Sequence, residues 1–392
     1  MKKILFILIH ITFLFASAPD SRLKAYQERY TFCHGKTDYQ IAQCLLNGSI
    51  NRSRVRGDRS VYRTVSKSQI KQALSHGDIY DNILNLLPHT KRYIWLEEYL
   101  DYLYDIRTEY FPPKFRGNNA EDIIRIKRIF NLLQNARLVE NADYTYAFED
   151  ELIEYQRRHG LKMDGKIGPR TKRILKQSIT SIILKVKKNL EWERISSIKG
   201  SNYILVNIPE FWLHCYDYGE AVLSMKVIVG KNKLRTPMLN RTMQYIVINP
   251  RWNVPSSIYN KEYAHKSESY LKAHGFAYNS EGRLYQKPGR NNALGVVKFL
   301  FPNPYKVYMH DTPIKSLFHK TVRTFSHGCI RLEKPLDLLN YLGYEYTTDE
   351  NKWITLSNRI PVHVEYHTVW IDDDGIVQFR NDIYGYERTL FH

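Results

Sequence analysis

Residues 324–332 read TFSHGCIRL, a β-prone run that a turn interrupts just before Cys329. A nucleophilic thiol needs a base that removes its proton, donors that hold an oxyanion, and a turn that exposes the sulfur. Gly328 lets the backbone approach a substrate closely, and the amides around Cys329 can point at a developing negative charge. In an extended segment Arg331 shares a face with Cys329, and its charge favours the thiolate. Cys329 is therefore the candidate nucleophile.

A second histidine, His310, ends an apolar run at 307–309. Strand ends commonly display catalytic side chains on a rigid scaffold, so His310 is the candidate base. Taken alone, it would be interpreted as an ordinary core or surface histidine. Two histidines and a cysteine could also form a zinc site, but no fourth ligand at a familiar spacing is evident apart from Asp311. Zinc therefore stays the minor alternative.

Short runs rich in β-branched and aromatic residues, separated by turn residues, follow from residue 200 onwards. Such runs without intervening helices predict a mainly β domain, sandwich-like or barrel-like. The stretch 256–298 interrupts this rhythm and is predicted to be an insertion or lid between strands. The predicted strands are 202–208, 221–229, 244–248, 307–309, 361–366 and 377–379.

The chain before residue 196 instead shows apolar residues at spacings of three and four, which predicts helices. The fold class predicted for the whole chain is therefore α+β, with a helical N-terminal region before the β domain. Pro112, Pro113 and the stretch 117–119 break the helical pattern and mark a predicted boundary. The apolar stripes are Leu96, Tyr99, Leu100, Leu103 and Ile106; Ile126, Ile129, Phe130 and Leu133; and Ile182, Val186 and Leu190.

His310 together with 326–331 resembles the active-site signature of the L,D-transpeptidases, whose YkuD-like catalytic domain has a histidine before a Ser/Thr-His-Gly-Cys turn. The resemblance covers nearly all of residues 200–390 and looks closest to the large Gram-negative branch, which carries a capping subdomain after a Trp-Asn-Val-Pro stretch. One position departs from that branch, because His327 stands where it often has serine. The other similar stretches are 235–237, 249–255, 289–295, 372–375 and 378–385.

The resemblance implies a mechanism in which Cys329 attacks the carbonyl of the third residue of a tetrapeptide stem. His310 would act as base and then acid, His327 would support the site, and amides near Gly328 and Cys329 would hold the oxyanion. An amine from a neighbouring stem would then attack the thioester and cross-link two third residues. The resemblance also implies acylation by carbapenems and no metal or organic cofactor. The residues expected to bind substrate are Trp252, Asn253, Tyr308, Ser326 and Arg331, although a tryptophan in a strand, such as Trp252, is more often a core residue than a substrate platform.

Residues 143–176 predict a helical hairpin with a turn at Asp164-Gly165 and with Pro169 in the first turn of its second helix. This stretch also resembles the small helical peptidoglycan-binding domain, and a hairpin without a ligand is the alternative. The predicted organisation is a signal peptide at 1–18, a helical scaffold domain at 19–115, a peptidoglycan-binding-like domain at 116–178, a linking helix at 179–198 and the catalytic domain at 199–392.

The first residues have the pattern of a secretory signal peptide, with Lys2 and Lys3, an apolar run at 4–15 and small residues at 16–18. Export to the periplasm is therefore expected, with a membrane anchor if the signal is not cleaved. The formal net charge of +18 predicts a polyanionic neighbour. For an exported protein that neighbour would be wall polymers or anionic lipid rather than nucleic acid.

The other three cysteines have separate expected fates in an oxidising compartment. Cys33 and Cys44 are close enough in sequence to close a small disulfide loop, although spacing alone does not prove the pairing. Cys215 lies in an apolar segment and is expected to be a buried small hydrophobe.

Two alternatives to the transpeptidase stay open at this point. The same site could release the terminal D-alanine with water, as an L,D-carboxypeptidase, or the chain could be a noncatalytic peptidoglycan-binding protein. The expected partners are peptidoglycan stem peptides and glycan strands, with other wall-synthesis proteins or a lipoprotein acceptor as further candidates.

Overall fold

A computed structural model describes residues 18–115, 120–198, 200–347 and 350–389. The predicted signal peptide, except for Ala18, and the predicted boundary at 117–119 lie outside the described residues. The chain divides into two compact units. The first is formed by the described parts of Met1–Ser49 with Thr64–Leu87, and the second by those of Ile50–Arg63 with Pro88–His392.

The first unit consists of short helices with side-chain caps. Asp20 and Thr37 accept hydrogen bonds from the first-turn amides of α1 and α2, and Ser66 forms a capping box with Gln69 in α3. Cys33 and Cys44 form a disulfide, with their Cα atoms 6.1 Å apart. The helices are α1 (Ser21–Tyr30), α2 (Asp38–Asn47), α3 (Lys67–Ala73) and α4 (Ile79–Leu84).

The helices of the second unit bury the apolar stripes that the sequence predicts. Leu96, Leu100 and Leu103 are fully buried, and so are Ile126 and Val186. The helical N-terminal region is thus confirmed. The helices are α5 (Lys91–Asp105), α6 (Ala120–Gln134), α7 (Tyr146–Arg158), α8 (Pro169–Leu175) and α9 (Ile179–Ile195).

Helices α7 and α8 form the predicted hairpin around the Asp164-Gly165 turn. Buried Gln156 holds this turn, because its Oε1 accepts the amides of Asp164 at 3.0 Å and Gly165 at 3.1 Å, while its Nε2 donates to the carbonyl of Lys166 at 2.9 Å. The Gln and Asp-Gly of the motif therefore have a structural role, and peptidoglycan binding by residues 116–178 stays a prediction.

The second half of the chain folds into a mixed β-sheet that closes on itself. The strands follow the order β2-β1-β12-β4-β8-β9-β11-β3, β3 also pairs with β2, and β10 pairs with the end of β3. The mainly β fold is confirmed, with a barrel-like closure. The strands are β1 (Tyr203–Asn207), β2 (Trp212–Asp217), β3 (Glu220–Gly230), β4 (Leu239–Ile248), β8 (Val297–Leu300), β9 (Met309–His310), β10 (Thr324–Ser326), β11 (Ile330–Leu332) and β12 (Lys352–Glu365).

Alternate residues of these strands fill one core, as the period of two requires. Val206, Leu213, Phe299, Met309 and Ile330 are among its buried members. Five of the six predicted strands are confirmed. The sixth, 307–309, is wrong in extent, because β9 contains only Met309 and His310. The hairpin β13 (Val369–Ile371) and β14 (Val377–Phe379) and the helices α12 (Pro335–Tyr341) and α13 (Tyr386–Thr389) complete the described chain.

The segment between β4 and β8 forms a separate small layer. It contains α10 (Ser256–Ile258), a π-helical turn (Tyr259–Tyr263) and α11 (Glu268–Ala273). Its three-stranded sheet has the order β5-β7-β6, from β5 (Trp252–Asn253), β6 (Phe276–Tyr278) and β7 (Leu284–Gln286). Lys298, at the end of the predicted insertion, lies in β8 of the main sheet.

Candidate active site

Parallel pairing of β9 with β11 brings the two sequence motifs together. Met309 pairs with Ile330 and His310 pairs with Arg331. Met309 and Ile330 point into the core, so alternation places His310 and Arg331 on the opposite face. Lys298 of β8 pairs with His310 from the other side.

Ser326 closes the turn that precedes Cys329. The Gly328 amide donates to Ser326 Oγ at 3.0 Å, and that hydroxyl donates to the Cys329 carbonyl at 2.6 Å. Gly328 has φ +121°, a conformation that favours glycine. Because its amide is committed to Ser326, Gly328 cannot supply the oxyanion donor expected from the sequence. The Cys329 amide has no hydrogen-bond partner within the described residues and is the remaining candidate for that donor.

A second hydrogen-bond network holds the carbonyl side of the turn. Thr236 Oγ1 donates to the Gly328 carbonyl at 2.9 Å and accepts the Gly230 amide at 2.9 Å. The Tyr384 hydroxyl accepts the Thr236 amide at 3.0 Å and donates to the Gly230 carbonyl at 2.8 Å. Sequence reasoning missed both residues as positioning groups, although they lie in the similar stretches 235–237 and 378–385.

The Cys329 thiol is half-buried, and Tyr308 is its main polar neighbour. Burial raises the pKa of Cys329, while hydrogen bonds from the Tyr308 amide and hydroxyl and the charges of Arg331 and Lys298 lower it by less. Arg331 therefore acts in the expected direction, although the effect of burial on the pKa of Cys329 is larger. Tyr308, expected to bind substrate, contacts the nucleophile itself.

His310 is a buried, neutral imidazole with a defined tautomer. Its Nδ1 donates to the Asp311 carbonyl at 2.5 Å, which leaves Nε2 as the basic nitrogen. Burial, together with the charges of Arg331 and Lys298, lowers the pKa of His310 to about 3. The Asp311 carboxylate accepts hydrogen bonds from Lys315 Nζ at 2.7 Å and the Val296 amide at 3.0 Å, so it fixes the segment that carries the imidazole.

His310 lies on β9 and Cys329 directly precedes the neighbouring strand β11, without a direct hydrogen bond between the two side chains in the described part of the chain. Tyr308 connects them, because its hydroxyl contacts the sulfur and its ring centroid lies 5.6 Å from that of His310. Catalytic hydrogen bonds are often long or absent before substrate binds, so this geometry is compatible with His310 as the base.

His327 contacts a carboxylate of the insertion rather than the Cys329 thiol. Its Nε2 lies 3.1 Å from Glu262 Oε1, in the π-helical turn of the insertion, and both side chains are partly exposed. Burial lowers the pKa of His327, and the carboxylate of Glu262 opposes that shift. His327 therefore joins the nucleophile turn to the insertion.

The two remaining candidates, Trp252 and Asn253, lie on β5 of the insertion. Trp252 is 8% exposed and packs in a small core with Leu271 and Phe276, against which Tyr308 also packs. This placement agrees with the core interpretation of Trp252. Asn253 is exposed and pairs with Tyr285.

Within the ranges that the structure describes, no three or more His, Cys, Asp or Glu side chains form a group that could hold a metal ion. Among the same residues, no helix has the length and apolar character needed to cross a membrane. Cys215 is buried in the barrel core, and burial raises the pKa of its thiol to about 12. Of the two free thiols, Cys329 is thus the accessible one.

Comparison with known proteins identifies the β domain. The sequence model of the YkuD L,D-transpeptidase catalytic domain matches residues 201–364. A Haemophilus influenzae protein, provisionally named an L,D-transpeptidase, is 32% identical over 48% of this chain and 45% of its own length. The chain thus spans less than half the length of this curated relative.

Two solved structures also match, at low similarity. An L,D-transpeptidase from Stackebrandtia nassauensis is 12% identical over 65% of this chain and 97% of that chain, with a TM-score of 0.29. One from Mycobacterium smegmatis is 19% identical over 42% of this chain and 59% of that chain, with a TM-score of 0.24. These TM-scores add no argument to the sequence match. The match to the YkuD L,D-transpeptidase catalytic domain thus covers residues 201–364, the part of the chain that contains His310 and Cys329.

Proposed function

We propose that the chain is an exported peptidoglycan L,D-transpeptidase that joins the third residues of two stem peptides through a thioester on Cys329. The observation that carries the proposal is the pairing of β9 with β11, because His310 lies on β9 and Cys329 directly precedes β11. The donor is a tetrapeptide stem that ends in a diamino acid and D-alanine. The reaction takes place in the periplasm, after removal of residues 1–18.

Acylation begins from a neutral thiol and a neutral imidazole. His310 Nε2 takes the thiol proton as the sulfur attacks the carbonyl of the third residue, directly or through one water molecule. The C–S bond forms, and the carbonyl oxygen becomes an oxyanion that the Cys329 amide holds. The bond to D-alanine then breaks, and His310 returns its proton to the leaving amine.

Two positive groups stabilise the charge that develops during this step. Lys298 and Arg331 both lower the pKa of Cys329, so both favour the thiolate over the thiol. Arg331 Nε is buried without a hydrogen-bond partner in the described part of the chain, and so has a donor for a substrate carboxylate. The Tyr308 hydroxyl donates to the sulfur and stabilises it as nucleophile and as leaving group.

Transfer completes the cycle when a second stem supplies an amine. His310 Nε2 takes a proton from this amine as it attacks the thioester, the new amide bond forms, and the C–S bond breaks. The proton on His310 returns to the sulfur and restores the thiol. Water must be kept from the thioester meanwhile. The insertion, held to the nucleophile turn by the Glu262–His327 contact, serves as that barrier.

Incubation of the purified chain with tetrapeptide-rich wall material, followed by muramidase digestion and mass spectrometry, tests the proposal. The wild type is expected to produce dimers linked through third residues and to acquire a carbapenem adduct on Cys329. Cys329→Ala should do neither. Cys215→Ala, which removes the buried thiol, should do both. Equal dimer formation by Cys329→Ala contradicts the site, and release of D-alanine without dimers contradicts transfer.

A further inference from the structure

A cavity of about 760 Å³ lies on the outer face of β1, β2 and β3, away from the residues proposed for catalysis. The end of α7, the β13–β14 hairpin and the segment 318–323 enclose it. Neither Cys329 nor His310 lines this cavity. Its volume is typical of sites that bind ligands of the size of a disaccharide or a short peptide.

Two guanidinium groups in the wall lack a carboxylate partner. Arg323 is 6% exposed and donates only to backbone carbonyls, including that of Phe211 at 2.8 Å. Arg380 lies over the Trp370 ring at 4.9 Å and donates to the carbonyl of Arg158 at 2.8 Å. In the described chain neither guanidinium is within ion-pair distance of an acid. Burial lowers the pKa of both, that of Arg323 to about 10, so a bound anion would stabilise them.

The cavity also contains acidic groups, which indicates a ligand with both charges. Glu210 lies 3.3 Å from His214, and Asp373 is exposed at the rim. Burial raises the pKa of Asp373, so a nearby cation would stabilise its carboxylate. Lys320, also exposed at the rim, has no carboxylate within ion-pair distance among the described residues.

Aromatic side chains supply the apolar part of the lining. In β2 the side chains of Leu213 and Cys215 are buried in the barrel core, whereas Trp212 is turned outward and partly exposed. Trp212 thus offers ring surface beside the charged groups, whereas the buried Trp370 ring lies under the Arg380 guanidinium. Such surface packs against the aliphatic carbons of an amino acid or a sugar.

We infer that this cavity is a second binding site for wall material and takes the zwitterionic peptide of a peptidoglycan stem. Its carboxylates lie towards Arg323, Arg380 and Lys320, and the amine of its diamino acid lies towards the acidic groups. That the ligand is a wall peptide rests on the proposed function. That it carries both charges rests on the residues that line the cavity. Binding here holds the enzyme on the wall independently of the reacting stem.

Isothermal titration calorimetry with a synthetic L-alanyl-D-glutamyl-diaminopimelyl-D-alanine tetrapeptide tests the inference. The full chain carries Cys329→Ala in every sample, so that no turnover occurs. Adding Lys320→Glu or Trp212→Leu should weaken peptide binding at least about tenfold. Lys24→Glu makes the same charge change in the first unit and should leave the affinity unchanged.

Three results would overturn the inference: equal affinity in both cavity variants and the control, tighter binding of a peptide-free wall disaccharide, or equal binding of the tetrapeptide with amidated carboxyl groups. Failure of the proposed function looks different. A wild type that forms no dimers, yet binds the peptide in a manner sensitive to Lys320→Glu, contradicts the transpeptidase and leaves the cavity site standing.

Discussion

Two polar clusters in the second unit differ in whether carboxylates balance their positive charges. The structural cluster is Arg92, Glu193, Glu365 and His367. In it Arg92 Nη2 lies 2.6 Å from Glu193 Oε1, and His367 Nε2 lies 2.7 Å from Glu365 Oε2. The active-site cluster is Lys298, Tyr308, His310, Cys329 and Arg331, and none of its members is a carboxylate.

The difference explains why one cluster is stable and the other reactive. Opposite charges in the structural cluster compensate each other, so burial is tolerated. In the active-site cluster positive charges and burial keep His310 neutral, and burial raises the pKa of Cys329. The charge missing there is negative, and a substrate carboxylate or a developing oxyanion supplies it. The reactive site is thus recognisable by its unbalanced positive charge.

Of the substitutions in the two clusters, His310→Gln should have the largest effect. It removes the base of the active-site cluster and keeps a polar side chain. We expect the rate of Cys329 acylation by a carbapenem to fall by about 10² to 10⁴. His76→Gln changes an exposed histidine of the first unit and should leave the rate unchanged. Stopped-flow absorbance of the β-lactam measures both. A fall of less than about threefold for His310→Gln would assign the base elsewhere.

The pH dependence of the wild type examines the same residue without a substitution. His310 has a pKa lowered to about 3, so its imidazole stays neutral and basic well below pH 6. The acylation rate should therefore decline only as the pH falls through about 3 to 4, and not near the ordinary histidine value of about 6.5. An acid limb near pH 6.5 would mean that a solvated histidine, such as His327, is the base.

How much of the fold and of the candidate site could be predicted from the sequence depends on whether the residues of each feature lie in one continuous segment. The nucleophile turn and the helical stripes lie in continuous segments, and their patterns predicted them. A strand beside His310 was also predicted, but with the wrong bounds. The structural cluster joins Arg92 to Glu365 across most of the chain, and no local pattern in the sequence relates these two residues. The raised pKa of Cys329 could not be predicted either, because burial depends on packing by Tyr308 and the insertion.

Arg92→Met should have the next largest effect, on stability rather than on chemistry. Removing this guanidinium leaves the buried carboxylates of Glu193 and Glu365 without Arg92, with the His367 imidazole still within ion-pair distance of both. Breaking a buried pair in this way costs about 3 kcal/mol, which urea unfolding followed by circular dichroism measures. Arg283→Met breaks an exposed pair with Glu281 and should change stability by less than about 0.5 kcal/mol. Equal midpoints for the two variants would remove the contrast between the clusters.

Acid unfolding tests the contribution of Glu365 to the structural cluster. Burial alone would raise the pKa of this carboxyl, but the hydrogen bond and charge of His367 and the charge of Arg92 outweigh it and lower the pKa to about 2. The stabilisation is therefore fully present above the unfolded pKa of about 4.5 and is lost as the pH falls towards 2. Glu365→Gln should flatten the stability profile in this window, and an unchanged slope would contradict the assignment.

Glu262→Gln should have the smallest effect, because its contact with His327 is partly exposed and worth at most about 1 kcal/mol. The substitution removes the charge that joins the insertion to the nucleophile turn and keeps the shape of the side chain. If the insertion excludes water from the thioester, the ratio of released D-alanine to dimers should rise by up to about fivefold, while acylation by a carbapenem changes little.

Glu281→Gln on the same insertion is the matched control, since its partner Arg283 is far from the turn in sequence and exposed. An identical ratio in both variants would show that the Glu262–His327 contact has no part in transfer. A fall in acylation rate for Glu262→Gln alone would instead place this carboxylate among the groups that set the charge of the active-site cluster.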